Sequence, residues 1–240
     1  MATPTVGTIT VDQNPNTLTT YTFTNAAVID ADADQAIATI TLKELSGFDE
    51  TISSVTIDPG GGDEQAMTVW VDYSDVRQRV GIAYVKAADL PPNGTYDLRV
   101  VMTGDVADMK IGFVNIKDWD ETTPAADTNT NSDDTPTVTV TTDTEDLVID
   151  AATCGVAGSW TMGGGQTVVF NGDIGGFHGS SSYEGGGAST TVMSWTIDGG
   201  GINWAIAAVK LGFQDLSGGD NAETSLDTIR TYQISEKLRP

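Results

Sequence analysis

Residues 189–211 read STTVMSWTIDGGGINWAIAAVKL, two strand-like runs joined by a DGGG turn. Alternate side chains of an extended strand share a face, so Trp195 lies in one row with Met193 on the first run. Trp204 lies in one row with Ile206 on the second run. Because glycines permit a tight reversal, the pattern predicts a hairpin with both indoles on the same side.

The opposite face of the second run is apolar as well, with Ala205, Ala207, Val209 and Leu211. A strand that is apolar on both faces is typical of a covered, central strand rather than an exposed binding edge. The two tryptophans are therefore predicted to lie in a core. Strands from the first part of the chain are expected to supply the apolar surface that they need.

The rest of the sequence also favours strands. It is rich in Thr, Val, Ile, Gly and Asp, and it lacks long runs of helix formers at helical spacing. Short strand candidates separated by turns predict an all-β fold, an antiparallel β-sandwich. The candidates are residues 5–11, 18–29, 36–45, 52–58, 66–73, 79–86, 95–103, 109–117, 137–142 and 146–153.

Residues 1–216 are predicted to form a single domain. The polar segment 122–136, TTPAADTNTNSDDTP, fits either a domain linker or a long surface loop, and shared packing favours the loop. Residues 159–188 hold ten glycines, which indicates wide loops.

The segment 217–240 is less acidic than the body and is interpreted as an extended arm that contacts a partner. It carries three of the basic residues, Arg230, Lys237 and Arg239. An arm of this kind at a chain terminus is normally held by a neighbouring subunit if it is ordered.

The chain carries 34 acidic and 11 basic residues, a net charge of −23, so it would repel phosphate backbones and nucleic-acid binding is disfavoured. Cys154 is the only cysteine, which excludes an intrachain disulfide. No basic start with an apolar stretch and no run of about 20 apolar residues is present, so manufacture in the cytosol without membrane insertion is expected.

Asp30, Asp32 and Asp34 imitate the opening of a calcium-binding EF-hand loop. The sixth position is Gln35 instead of glycine, and the twelfth is Thr41 instead of glutamate. A solvated acidic turn is therefore favoured over a metal site, and Ca²⁺ is the one cofactor that the sequence suggests at all.

His178 is the only histidine, with serines at 180–182 and Asp173 nearby along the chain. A Ser-His-Asp arrangement would need an orienting carboxylate and an adjacent hydroxyl. Because the G-x-S-x-G pattern is missing, catalysis by His178 is disfavoured. Paired carboxylates for glycoside cleavage carry no signal here, since 34 acids produce accidental pairs in any fold.

Trp119 and Trp160 lie beside turn residues and are the better candidates for stacking on a sugar ring, whereas Trp70 lies within an alternating strand. Packing remains the favoured interpretation of all three.

Several segments together carry a resemblance: ISSVTID at 52–58, LPPNGTYDLRVVM at 90–102, DETTP at 120–124, EDLVIDA at 145–151 and WAIAAVKL at 204–211. Over roughly residues 35–213 the order of these segments resembles a β-sandwich module of phage and prophage proteins, related to jelly-roll or lectin-like sandwiches. The turn DPGGGDEQ and the tail after Ser217 depart from that pattern. The resemblance implies a jelly-roll fold and a phage context rather than an activity.

Cytosolic manufacture without disulfides, a resemblance to a phage family and a terminal arm held by a neighbour together predict a bacteriophage virion structural protein, a capsid decoration or cement protein without enzymatic activity. Expected partners are the major capsid protein and other copies of the chain, in a homo-oligomer for which a trimer is one candidate. The alternative is a glycan- or receptor-binding module of a tail fibre or cell surface that uses Trp119, Trp160 and acidic loops. A third class, glycoside hydrolase or lyase, would need two facing carboxylates in a cleft.

Overall fold

The computed structural model describes residues 4–45, 50–75, 77–119, 126–131, 135–198 and 203–212. Within them it contains strands and one short 3₁₀ helix, Ala87–Asp89. None of the helical structure in these ranges has the length and apolar character needed to cross a membrane. The strands are β1 (Thr5–Asn14), β2 (Leu18–Ile29), β3 (Gln35–Glu44), β4 (Ile52–Ile57), β5 (Gln65–Asp75), β6 (Gln78–Val85), β7 (Gly94–Lys117), β8 (Ala126–Asn131), β9 (Thr137–Thr141), β10 (Leu147–Cys154), β11 (Trp160–Met162), β12 (Thr167–Ile174), β13 (Phe177–Gly185), β14 (Thr190–Ile197) and β15 (Trp204–Leu211).

The prediction of an all-β fold built from packed antiparallel sheets is confirmed. The strands form a seven-stranded sheet, a five-stranded sheet in the order β12-β13-β10-β15-β8, and a three-stranded sheet in the order β11-β14-β9. We call the second the middle sheet and the third the outer sheet.

The seven-stranded sheet closes on itself through β7, which is 24 residues long. The first part of β7 pairs with β2 and β4, and its second part pairs with β1 and β3. Starting from β7, the strands β3, β6, β5 and β4 pair one after another, and β4 pairs with β7 again. These five strands therefore form a closed barrel. Two separate candidates, 95–103 and 109–117, are thus one strand, since the chain between them stays extended and only shifts register.

The barrel has its own apolar core, which includes Leu98, Val100 and Met102, alternate residues of β7. A second apolar layer, the first interface, joins the barrel to the middle sheet. It contains Ile37, Val80, Ile82 and Val114 from the barrel and Leu147, Ile149, Ala207 and Val209 from the middle sheet. Residues from both halves of the chain therefore share one apolar layer.

A third apolar layer, the second interface, lies between the middle and outer sheets. It includes Val138, Val140, Val148, Ala152, Cys154, Trp160, Met193, Trp195, Ile197, Trp204, Ile206 and Ala208. The middle sheet is thus covered on both faces, and all eight residues of β10 are buried. For this reason β15, WAIAAVKL, is apolar on both faces.

Trp195 and Trp204 are fully buried, as predicted, but the predicted hairpin is wrong. β14 pairs with β9 and β11, whereas β15 pairs with β10 and β8, so the two indoles belong to different sheets and lie in the second interface. Their apolar surroundings come from residues 138–208 rather than from the first part of the chain. The row with Trp195 on β14 and the row with Trp204 on β15 can be buried by facing each other from two sheets as well as by lying side by side in one sheet.

Two segments that were expected to be loops contain strands. Residues 126–131 form β8 at the edge of the middle sheet, and the glycine-rich segment forms β11, β12 and β13. Gly175 and Gly176, with φ of 53° and 93°, make the two-residue turn between β12 and β13. Gly179 lies within β13 at a point where a Cβ would clash with Thr41 Oγ1 in the barrel. The glycines thus mark a tight turn and a close approach of layers.

Candidate functional site

The second interface contains polar side chains among its apolar ones. They lie on the face of β10, β12 and β13 that is turned toward the outer sheet. We call this set the polar seam; it comprises an aspartate group (Asp150, Ser182 and Gln166) and a histidine group (His178, Asp173, Asn171 and Ser180).

Asp150 is the centre of the aspartate group and is completely buried. On β10 it lies between Val148 and Ala152 in the row of alternate side chains that faces the outer sheet and Trp195, rather than in the row that faces the barrel. Its Oδ1 accepts hydrogen bonds from the backbone N–H of Ser182 at 2.6 Å and from Ser182 Oγ at 2.9 Å, and its Oδ2 accepts one from Trp195 Nε1 at 2.8 Å. Three donors on one carboxylate hold it in a single orientation.

Gln166 completes the aspartate group from the residue before β12. Its Nε2 donates to Ser182 Oγ at 2.7 Å, and its Oε1 accepts from the backbone N–H of Ser194 at 3.1 Å. The Gln166 side chain can lie here because residue 163 is a glycine. A Cβ at residue 163 would come within 2.5 Å of Gln166 Oε1. Gln166 is 5% exposed and Ser182 is fully buried, so water has little access to the three groups.

Burial raises the pKa of Asp150 from 3.8 to about 7, against the hydrogen bonds from Trp195 and Ser182, which lower it. A carboxyl whose pKa is higher in the folded state stabilises the fold most below its unfolded pKa, and this stabilisation is lost as the pH rises through the folded value. We therefore expect the free energy of unfolding to fall by a few kcal/mol between about pH 4 and about pH 7 on account of this one group.

Urea titrations across that pH range measure this slope, and Asp150→Asn is the matched variant because it cannot ionise. The variant should be less stable at every pH but show a flatter profile. An unchanged slope in the variant would assign the pH dependence to other groups.

The histidine group lies at the end of the seam near the β12–β13 turn. His178 Nδ1 is 2.6 Å from Asp173 Oδ1, and its Nε2 is 2.6 Å from Asn171 Oδ1. Asn171 Nδ2 donates to the carbonyl of Trp160 at 3.0 Å, so its Oδ1 is the atom that faces the imidazole. His178 Nε2 therefore donates to Asn171 Oδ1, and Nδ1 is hydrogen-bonded to Asp173 Oδ1. Burial lowers the pKa of His178, while the Asp173 carboxylate opposes that effect.

Asp173 and His178 do come together, but no Ser-His-Asp relay is assembled within the described ranges. Ser180 Oγ donates to Asn171 Oδ1 at 2.9 Å instead of facing a basic imidazole nitrogen. The Trp160 ring stacks on the imidazole at 4.8 Å between centroids, and His178 is 3% exposed. Because β11 belongs to the outer sheet, this group ties that sheet to the middle sheet.

The sugar-stacking interpretation of Trp119 and Trp160 does not agree with their placement. Their side chains are 2% and 5% exposed, so neither ring offers an open face to a ligand. Trp119 packs against Trp70 and Tyr84, with ring centroids 5.6 and 5.7 Å away. Both tryptophans pack within the layers, as the favoured interpretation had it.

Asp30, Asp32 and Asp34 do not converge on a common point. Asp30 Oδ2 accepts from Thr8 N–H at 2.8 Å, Asp34 Oδ2 accepts from Asp118 N–H at 2.7 Å, and Asp32 pairs with Lys117. In the part of the chain that the structure describes, no three acidic, histidine or cysteine side chains are grouped as metal ligands. The EF-hand interpretation fails because Gln35 enters β3 where a calcium loop would turn.

The three basic residues predicted to contact a partner, Arg230, Lys237 and Arg239, lie outside the described residues. The aspartate group was not predicted. One signal was present: Asp150 is the only charged residue in the apolar run LVIDAATC of β10. Its partners come from distant segments, and no local pattern links them.

No protein-family model matches this chain, and no curated protein matches it. Solved structures with weak similarity include the VP2 subviral particle of infectious bursal disease virus, with 14% identity, a TM-score of 0.23, and coverage of 88% of this chain and 41% of that chain. A second is dimeric latent PorU from Porphyromonas gingivalis, with 9% identity, a TM-score of 0.22, and coverage of 85% of this chain and 24% of that chain. A third is Cucumber Leaf Spot Virus, with 10% identity, a TM-score of 0.17, and coverage of 88% of this chain and 90% of that chain. The chain thus spans less than half the length of the first two, and similarities of this size assign neither a family nor a function.

Proposed function

We propose that this chain is a structural protein of a bacteriophage virion, a decoration or cement protein on the outside of the capsid, without enzymatic activity. The observation that supports it best is the interior: three apolar layers in series join the barrel, the middle sheet and the outer sheet into one body. Five side chains of the polar seam are buried and hydrogen-bonded, as in a rigid building block: Asp150, Gln166, His178, Ser180 and Ser182.

The proposed mechanism is adhesive. A protein that binds the assembled shell but not its separated subunits shifts the equilibrium toward the assembled shell. The partners would be the major capsid protein and further copies of the chain, in a homo-oligomer such as a trimer. Assembly would take place in the host cytoplasm, before the virion leaves the cell, with no part for membrane or nucleic acid.

The charge of the chain sets a condition on this mechanism. Copies with a net charge of −23 repel one another unless basic capsid residues or cations lie between them. We therefore expect attachment to weaken as NaCl is raised or as divalent cations are chelated.

The test is immunogold labelling and quantification of the chain on purified phage particles, followed by NaCl and EDTA titrations of its release. We expect label on the heads, release with rising salt or chelator, and a lower temperature of head disruption after release. Label confined to tail fibres, or none on particles, would contradict the proposal. Attachment indifferent to both salt and chelator would contradict its electrostatic part.

The glycan-binding alternative has no observation in its favour, because the two ring systems on which it depended are buried. Intrinsic tryptophan fluorescence that changes on addition of an oligosaccharide would revive it.

A further inference from the structure

We propose that the aspartate group forms an intramolecular ester cross-link, in which Ser182 Oγ becomes bonded to the side-chain carbonyl carbon of Gln166 with release of ammonia. This modification does not depend on the proposed role in a virion. It rests on a nucleophile, a base, an electrophile and an oxyanion donor that meet at one buried point.

The nucleophile and its base are Ser182 and Asp150. Ser182 Oγ donates its proton to Asp150 Oδ1 at 2.9 Å, so the carboxylate can accept that proton as the oxygen attacks. Trp195 Nε1 and the backbone N–H of Ser182 hold the carboxylate in place. Burial raises the pKa of Asp150 toward neutrality, which makes it a stronger base than an exposed aspartate.

The electrophile is the carboxamide of Gln166. Its Nε2 is 2.7 Å from Ser182 Oγ, so the amide lies against the lone pairs of the nucleophile. Attack requires a turn of this amide that brings the face of the carbonyl carbon toward that oxygen while Oε1 stays near the Ser194 N–H. The backbone N–H of Ser194, 3.1 Å from Gln166 Oε1, is the donor that would stabilise negative charge on this oxygen during attack.

The atoms balance within the three side chains. The Ser182 Oγ to Gln166 Cδ bond forms as the hydroxyl proton passes to Asp150. The bond from Gln166 Cδ to Nε2 then breaks, and Asp150 returns the proton to the departing nitrogen, which leaves as ammonia. No oxidant, metal or cofactor takes part, and Asp150 ends as it began.

The surroundings favour keeping the product. Asp150 and Ser182 have no exposed surface and Gln166 has 5%, so water that would hydrolyse the ester is largely excluded. The bond would join the residue before β12 to the middle of β13 and close the hairpin at the end opposite Gly175 and Gly176. The chain has one cysteine and cannot form an internal disulfide. The ester would therefore supply the covalent cross-link that a disulfide supplies in other proteins.

Intact mass spectrometry of the full chain under denaturing conditions tests the proposal. We expect a mass lower than that of the sequence by one ammonia, and restoration of a hydrolysed form after mild alkali. Chymotrypsin cleaves after Phe170 and Phe177, which separates Gln166 from Ser182. The peptides containing these two residues should therefore remain joined after digestion and separate after alkali.

Variants locate the bond. Ser182→Ala, Gln166→Glu and Asp150→Asn should each show no loss of ammonia. Ser180→Ala is the matched control: Ser180 is equally buried on the same face of β13 but bonds to Asn171, so this variant should keep the loss. A wild-type mass equal to that of the sequence overturns the proposal. So does a loss that persists in Ser182→Ala, which would point to other chemistry such as ring closure at Asn93–Gly94.

Discussion

Replacement of Trp204 by alanine is expected to lower the free energy of unfolding by about 3–5 kcal/mol. Trp204 is 1% exposed and lies in the second interface, in the same apolar layer as Trp195 and Ile206. Both covering sheets are held by hydrogen-bonded partners, so they cannot collapse far into the space that the indole leaves. The cost is therefore the lost transfer free energy of the side chain plus that of a cavity.

Urea unfolding followed by circular dichroism measures this loss. Val192→Ala is the matched control, since Val192 lies on β14 with its side chain 49% exposed on the outer face, and it should change stability by less than about 0.5 kcal/mol. Equal losses for the two variants would mean that the second interface does not hold the outer sheet in place.

Replacement of Arg79 by methionine is expected to cost about 3–5 kcal/mol, because it leaves buried charges without a partner. Arg79 Nε donates to Glu44 Oε1 at 2.7 Å and its Nη1 donates to Asp72 Oδ1 at 2.5 Å, with the arginine side chain 4% exposed. Glu44 is fully buried at its side chain, and burial already raises its pKa against the effect of Arg79. Without the guanidinium the ionised form becomes more costly still.

The pH dependence separates this mechanism from simple loss of packing. In Arg79→Met the pKa of Glu44 should rise further, so the loss of stability should shrink as the pH falls and Glu44 becomes protonated. Lys117→Met is the control, since its pair with Asp32 is exposed to solvent and contributes little. A loss in Arg79→Met that is the same at all pH values would contradict the role assigned to the charge.

Most strands could be predicted from the sequence because the alternation of apolar and polar residues is a local property. β2, for example, has the predicted bounds of 18–29, and the row Leu98, Val100 and Met102 lies in the barrel core as its period of two indicates. The predictions failed where glycine was taken as a sign of loops. Around Gly179 the glycine instead allows β13 to approach the barrel.

The aspartate group could not be predicted. Gln166, Ser182 and Asp150 come from three segments of the chain, and each has an unremarkable local sequence apart from the charge within β10. They meet because β13 pairs with β10 in one register and with β12 in another, and both registers belong to the assembled middle sheet.

The sequence by itself determined that this protein is all β, which faces of its strands are apolar, and that Trp195 and Trp204 are core residues. Only the tertiary structure decided that β14 and β15 lie in different sheets, that β7 closes a barrel, and that a carboxylate, a hydroxyl and an amide share one buried point. The reason is physical: the side-chain period of a strand is set by its own backbone, whereas an apolar row can be covered by many partners. The choice among them depends on how all the layers pack together.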